Sequence, residues 1–404
     1  MDRSRFAELS GCCALAAAPG SALATTYRSL DPRLPPVGTR SIPVTYVVCR
    51  GIGTAVPAHA YEQNETAELF LRYAQEPIRH QQRTWEHIFQ QTGIARRYSV
   101  LTRQEFEAWA QAAAAVHGSA DSVPSTGWRM QRFAREAPPL AAQALGAALE
   151  AAGCPTNALD YLVLVTCTGF FAPGLDCALV DALHLRPDVE RVQVGYMGCH
   201  GAIDGLRVLG ALLQCRTGAW GAVCAVELCS LHHYAGTDPE RYLGNCLFAD
   251  GAAALAAQSA PEPQSWTVRA TGCVLLAQAS EMMSWHIGDH GFEMTLSPRL
   301  PGTLRRHVRP WLEAWLGRQG LSLGDVRSWA IHPGGPRILQ AAQQALGLTD
   351  EHCWASWDVL KQYGNVSSAS VLFVLERLRR SGAAPPCVTL AFGPGLTLEA
   401  ALFV

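Results

Sequence analysis

Three side chains able to do acyl chemistry each sit in a glycine-marked turn. Cys199 lies in Gly195-Tyr196-Met197-Gly198-Cys199-His200-Gly201-Ala202, His332 in His332-Pro333-Gly334-Gly335-Pro336, and Asn365 in Tyr363-Gly364-Asn365-Val366-Ser367-Ser368-Ala369. A thiol attacks well only as thiolate, and it needs a base, a cation or a helix N-terminus nearby to hold that charge. Glycines on both sides of Cys199 suit a sharp strand-to-helix turn, which would aim the positive end of a helix at the sulfur. His332 can stabilise the thiolate. His332 and Asn365 together can donate hydrogen bonds to an oxyanion. Each turn alone is a weak signal, because a lone cysteine is commonly core and a turn asparagine is ordinary. The three in this order are specific.

Strands and helices must deliver these turns. Residues 44–48 read as a first strand and 51–56 as the loop after it. Residues 62–96 read as mostly helical, and 106–117 and 128–152 as two more helices, the last broken in its middle by Pro138 and Pro139. The apolar run 161–166 suits a buried parallel strand. Residues 191–195 form a second strand running into the Cys199 turn, 202–216 the helix after it, and 220–227 a third strand. Later, 266–276 is strand-like, 304–319 helical, and 329–332 a short strand ending at the histidine. Helices at 337–346 and 369–380 and a strand at 387–392 follow. Alternation of this kind indicates a layered α/β fold. The chain divides into a low-complexity or disordered start (1–43), a half carrying the cysteine (44–264) and a half carrying His332 and Asn365 (265–404).

With 404 residues, the chain is long enough for two fused α/β halves. It is 49% apolar and 16% charged, so a sizeable core is available. A formal net charge of -2, with no long run of one sign, argues against a nucleic-acid partner held by bulk electrostatics. The 14 cysteines are scattered and form no CxxC framework, so neither a zinc site nor a disulfide scaffold is expected, and a reducing cytoplasm fits best. A signal-peptide reading exists for Arg3, Arg5, an apolar stretch at 12–18 and Ala22-Leu23-Ala24. Asp2, Glu8 and the interruption at Pro19-Gly20 oppose it. No stretch approaches the ~20 apolar residues of a membrane span.

The three turns, together with Leu247-Phe248-Ala249-Asp250-Gly251-Ala252-Ala253-Ala254 and Phe392-Gly393-Pro394-Gly395-Leu396, resemble the type III polyketide synthases, the family of chalcone and alkylresorcinol synthases. The likeness runs over about 44–404. It implies a thiolase-like layered αβαβα fold of two similar halves. It implies iterative decarboxylative condensation of malonyl-CoA onto an acyl-CoA starter held on Cys199, with His332 and Asn365 as its partners. The implied enzyme is a homodimeric acyltransferase with no bound cofactor or metal, working on coenzyme A thioesters.

The resemblance also places pocket residues. Phe248 falls at a gatekeeper phenylalanine beside the cysteine, and Met294 stands where plant chalcone synthases have a second phenylalanine. Cys167 and Thr168 fall where the family lines its initiation and elongation cavity, with His232 as their neighbour. Trp285 replaces a glycine, which should close the usual volume or divert a chain into another tunnel. The plant enzymes hold CoA phosphates with basic residues on an early helix, but the matching positions here are Thr84, His87 and Gln91. Arg83, Arg96, Arg97 and Arg337 are the remaining candidates, Arg337 first among them. The segments around Trp285 and Glu227 resemble bacterial alkylpyrone and alkylresorcinol synthases, which implies a fatty acyl starter. A malonyl-only tetrahydroxynaphthalene-type synthase, a ketoacyl synthase III-like condensing enzyme and a non-catalytic homologue are the competing readings.

Overall fold

The computed structural model describes residues 45–72, 74, 76, 78–115, 123–234, 236 and 238–404, so the start expected at 1–43 lies outside the described residues. The first half runs β1 (Tyr46–Ala55), β2 (His59–Glu62), α1 (Gln63–Arg72), α2 (Gln82–Gln91), β3 (Arg96–Ser99), α3 (Arg103–Ala115) and α4 (Thr126–Ala152). It continues through β4 (Leu159–Thr166), α5 (Leu175–Ala182), β5 (Glu190–Gly195), α6 (Gly201–Gln214), β6 (Trp220–Leu228), α7 (Pro239–Leu247) and β7 (Asp250–Ala260). Then come β8 (Thr267–Leu275), β9 (Met283–Gly288), β10 (Gly291–Leu296), α8 (Leu300–Gly317), β11 (Ser328–Ile331) and α9 (Pro336–Leu346). The chain ends with α10 (Trp354–Tyr363), α11 (Ser370–Arg380), β12 (Cys387–Gly393) and β13 (Thr397–Phe403).

The main sheet has the order β11-β12-β13-β8-β1-β7-β6-β4-β5. Its two halves meet at β1 and β8 through a short antiparallel junction, Val47 opposite Val268 and Val48 opposite Thr267. On either side of that junction the pairing repeats. β1 is antiparallel to β7, β7 antiparallel to β6, and β6 parallel to β4. Likewise β8 is antiparallel to β13, β13 antiparallel to β12, and β12 parallel to β11. Strand alternation then sends side chains to different layers. Val163, Val165, Val223 and Ala225 join α6 and α11 in a central core, whereas Leu162, Leu164, Ala222 and Cys224 face α4 and α5. Val388, Leu390 and Phe392 face α8 and α9. The layering is αβαβα, as the resemblance implies.

Three elements differ from the sequence reading, each for a packing reason. Residues 51–55 are strand, not loop, because β1 continues past a register shift after Cys49. Its glycines let α4 lie directly on the backbone: a Cβ at Gly53 would stand 2.4 Å from Ala144 O and Ala148 N, and one at Gly51 2.4 Å from Ala148 O. α4 runs unbroken through Pro138 and Pro139. An interior proline costs about 3 kcal/mol, but this helix buries Ala137, Leu140, Ala141, Ala144, Leu145, Ala148 and Leu149, and that burial outweighs the two lost hydrogen bonds. The alanine-rich stretch 250–260, to which the sequence reading assigned no element, is a strand, β7, almost wholly buried on both faces. Residues 62–96 break into α1 and α2 and end at β3, which pairs with β2.

The close approach of β1 to α4 makes a paired test. Gly53→Ala must push two backbones apart and should destabilise the protein by roughly 2–3 kcal/mol or more. Gly210→Ala, in α6 with open space around its Cα, should stabilise it by about 0.5–1 kcal/mol through helix propensity alone. Denaturant unfolding of both variants checks the contrast. Equal midpoints would remove the β1–α4 approach as a constraint.

Candidate active site

The Cys199 turn hangs between β5 and α6. Tyr196 (φ 60°) and Gly198 (φ 79°) take the left-handed conformation that reverses the chain within four residues. Gly198 is obligatory, because a Cβ there would stand 2.2 Å from Cδ of Pro394. Cys199 therefore arrives two residues before Gly201, the first residue of α6. Its Sγ lies 3.7 Å from Ser367 Oγ, in the Asn365 turn of the other half.

His332 directly follows β11, its backbone amide donating to Leu390 O at 2.8 Å. Its Nδ1 is buried with no hydrogen-bond partner among the described residues. The Asn365 turn is bonded on both sides to the Phe248 segment. Asn365 N donates to Leu247 O, and Ala249 N donates to Asn365 O, each at 2.9 Å. The Asn365 amide is oriented by its surroundings: Ser367 N donates to Oδ1 at 2.9 Å and Ser370 Oγ donates to it at 3.4 Å. Nδ2 makes a long contact to Gly334 O, 3.5 Å.

Cys199, His332 and Asn365 are 4%, 2% and 2% exposed, and all three line one cavity of about 690 Å³. Phe248, Met294 and Arg337 line it too, as do Thr84, His87 and Gln91 from α2. Cys167, Thr168, Trp285 and His232 do not line it. They form a connected group on one side of the Cys199 turn. Gly198 N donates to Cys167 Sγ at 3.0 Å, and Trp285 Nε1 donates to Cys167 O at 2.8 Å. His232 Nε2 donates to Thr168 O at 2.7 Å, and its Nδ1 accepts from Phe292 N at 2.9 Å, which fixes the neutral tautomer. Trp285 faces Met294 across the β9–β10 hairpin. Among the arginine candidates, Arg96 pairs with Glu62 at 2.9 Å, and Arg97 is buried with Nη1 on the carbonyls of Asn245 and Phe248. Arg83 is absent from the cavity wall, so Arg337 alone of the four faces it.

Two residues at the site escaped the sequence reading. Glu227 is fully buried and accepts from Cys167 N (3.0 Å), Thr168 Oγ1 (2.7 Å), Thr166 Oγ1 (3.4 Å) and Ser368 Oγ. It ties the end of β4 to the Asn365 turn. Its only sequence signal was an acidic residue closing an apolar strand. Ser367, with φ 47°, is the other, and its signal was a serine pair after the asparagine. A second acidic group, Asp250, accepts from Val100 N and from Ser230 N and Oγ.

Burial governs the charges here. It pushes the Cys199 thiol up to about 12; Glu227 adds to the rise, while hydrogen bonds from Ser367 and Asn365 oppose it. It pulls His332 down to about 3, with a further push from His200. Burial also raises Glu227, against its four donors. His200, Asp204 and Glu399 bring ligand atoms within 4.8 Å of one another. Arg207 already bridges Asp204 and Glu399, so this cluster is an internal ion-pair network.

The comparisons with known proteins agree with this geometry. Residues 44–261 match the N-terminal domain of chalcone and stilbene synthases, and residues 268–404 match their C-terminal domain. The chain is 32% identical over 374 residues to the alpha-pyrone synthesis polyketide synthase-like Pks18 of Mycobacterium tuberculosis, covering 89% of this chain and 92% of that one. It is 33% identical over 355 residues to 1,3,6,8-tetrahydroxynaphthalene synthase of Streptomyces peucetius subsp. caesius, covering 86% and 90%. The structure of PKS-I from the brown alga Ectocarpus siliculosus superposes with a TM-score of 0.82 at 28% identity, covering 89% of this chain and 98% of that one. Two matched domains and relatives of this closeness leave no place for a ketoacyl synthase III or a non-catalytic homologue: the chain belongs to the chalcone and stilbene synthase family and is a type III polyketide synthase, an acyltransferase that condenses malonyl-CoA.

Proposed function

We propose that Cys199 carries the growing chain and that the starter is a long linear acyl-CoA, giving alkylpyrones or alkylresorcinols. One observation carries the assignment of roles: Cys199, His332 and Asn365, from three separate segments, line one cavity. Cys199 attacks the starter thioester and expels coenzyme A, its proton passing to His332. Malonyl-CoA then loses carbon dioxide, and the resulting enolate oxygen accepts hydrogen bonds from His332 and from the oriented Nδ2 of Asn365. The enolate carbon attacks the Cys199 thioester, frees the sulfur and leaves the extended chain on coenzyme A for recapture. Phe248 forms a rigid wall over this step. The apolar lining supports a hydrocarbon starter: Trp85, Ile88, Leu243, Met283, Leu296 and Ile338 offer few hydrogen-bonding groups. Trp285 favours a second reading. Fixed on the Cys167 carbonyl, it closes the space beside the nucleophile, which suits a malonyl-only synthase of the tetrahydroxynaphthalene type.

We further propose a division near residue 265, supported by the domain matches ending at 261 and resuming at 268. A homodimer formed through β5 is supported by that strand's position at the sheet edge and by exposed Val192, Tyr196, Met197 and Phe170 beside it. Twelve unpaired cysteines among the described residues support a reducing, cytoplasmic setting.

Wild-type protein with malonyl-CoA and acyl-CoAs of graded length should give products whose yield rises with starter length, each buried methylene contributing about 0.8 kcal/mol. Malonyl-CoA alone giving the main product at full rate would install the second reading. Cys199→Ala should lose both elongation and the acyl adduct seen by intact-protein mass spectrometry. His332→Ala and Asn365→Ala should each slow condensation by about 10²–10³-fold. The pH profile of iodoacetamide labelling isolates the proton transfer. In the wild type His332 accepts the thiol proton, so Cys199 reacts near neutral pH. In His332→Ala no imidazole is left to take the thiol proton and burial still raises the thiol pKa, so labelling should be slow at neutral pH and rise steadily with alkalinity. Superimposable profiles would exclude His332 from that role.

Trp285→Gly should open the space beside Cys167 and lengthen the product or admit aromatic starters, read by product mass. An unchanged product range would make Trp285 a packing residue only. Val192→Asp should convert the dimer to monomer by light scattering. A wild type that is itself monomeric would rule out the β5 interface.

A further inference from the structure

The cavity holding Cys199 does not end at Arg337. It opens into a second cleft of about 360 Å³ where the N-terminal ends of α8 and α9 lie side by side. The two spaces share Pro298, Pro301, Arg337 and Gln340 as walls. Three arginines line the cleft and no acidic residue does: Arg299 precedes α8, Arg305 lies one turn further along it, and Arg337 is the second residue of α9. All three are exposed. Arg305 Nη1 donates to Gln344 Oε1 at 3.3 Å, bracing α8 against α9. The side chains of Arg299 and Arg337 have no hydrogen bond or ion pair among the described residues.

This distribution is unfavourable without an anion. A cation at a helix N-terminus opposes the helix dipole, and neither α8 nor α9 has an acidic residue in its first turn to compensate. Three guanidinium groups around one cleft also repel one another. A phosphate between them would reverse both effects, since arginine forks match phosphate oxygens in pairs. Across the cavity, α2 offers Thr84, His87 and Gln91, none of them a lysine or arginine.

We propose that this cleft binds the nucleotide-phosphate end of the CoA thioesters, with Arg299, Arg305 and Arg337 as its cations. The inference rests on CoA thioesters being the substrates. The pantetheine arm then runs from the arginine cleft down the shared wall to Cys199. The phosphate cations of this chain thus sit on the α8–α9 side of the cavity, opposite the early helix.

The test compares malonyl-CoA with malonyl-N-acetylcysteamine, which keeps the thioester and lacks every phosphate. For Arg299→Gln, Arg305→Gln, Arg337→Gln and the triple variant, the ratio of kcat/KM between the two thioesters should fall about tenfold per arginine removed. The fall should appear in KM for malonyl-CoA, and the steep rise of that KM with salt should flatten in the triple variant. Calorimetric binding of free CoA to wild-type and triple-variant protein reads the site without turnover, and affinity should drop by at least a hundredfold. A ratio that does not move, or CoA affinity retained in the triple variant, would overturn the cleft assignment. Wild-type protein that binds CoA through these arginines yet elongates neither thioester would sink the condensation reading while leaving the cleft standing.

Discussion

The site depends on one backbone exchange. Asn365 N donates to Leu247 O and Ala249 N donates to Asn365 O, so the turn of the second half is bonded to the Phe248 segment of the first. Neither segment is part of a regular ladder across this contact, which is an isolated parallel bridge. With it in place, Ser367 is set against the Cys199 sulfur and Ser368 is set to reach Glu227. Arg97 reinforces the same joint from behind. It bonds the Phe248 carbonyl, and its methylenes would lie 3.0–3.1 Å from any Cβ at Gly364. The geometry of an asparagine amide is thereby fixed by main-chain hydrogen bonds, whose directional demands leave far less play than apolar packing.

The dryness that makes the cavity useful also sets which groups stay charged. Desolvation is the largest influence on Cys199, His332, Glu227 and Asp250 alike. The outcomes differ because their partners differ. Each carboxylate accepts several donors, the arrangement that keeps a buried anion tolerable. Against its desolvation the Cys199 thiol has hydrogen bonds from Ser367, Asn365 and its own backbone, with Glu227 acting the other way. A resting thiolate is therefore costly, whereas proton transfer from Sγ to His332 leaves the net charge of the cavity unchanged. The lone pairs of Glu227 are taken by Cys167, Thr166, Thr168 and Ser368, which makes it a tie between segments and no free base.

The sequence was legible where local chemistry and global fold asked for the same residue. The run 161–166 is apolar because β4 is buried on both faces, and Gly198 is glycine because Pro394 fills the place of a Cβ. It misled where tertiary packing overrode propensity. Glycines at 51 and 53 read as loop, yet they exist so that α4 can touch β1. Pro138 and Pro139 read as a break, yet the buried face of α4 carries the helix through them. Of the site, the turns of Cys199, His332 and Asn365 were legible from their own residues, and Phe248 and Met294 from the family resemblance alone; all five line one cavity. Glu227 was not legible, because its partners lie 59 to 141 positions away in the chain. No window of sequence contains that network.

The repeated pairing explains why a thiol, an imidazole and an amide from distant segments converge. β4 corresponds to β11 and β6 to β12, so Cys167, just past β4, and His332, just past β11, occupy matching strand ends in the two halves. α6 and α11 correspond in the same way, both packing into the central core. Each is preceded by a tight turn bearing a positive φ, at Gly198 in one and Ser367 in the other. The two turns therefore face each other across the central layer, with 3.7 Å between Cys199 Sγ and Ser367 Oγ. Convergence of the trio is then a property of the fold's internal symmetry. The symmetry is broken in the side chains it presents: one turn carries the Cys199 thiol and the other the Asn365 amide, while one strand end carries the His332 imidazole and the other the packed Cys167, and the proposed chemistry rests on that difference.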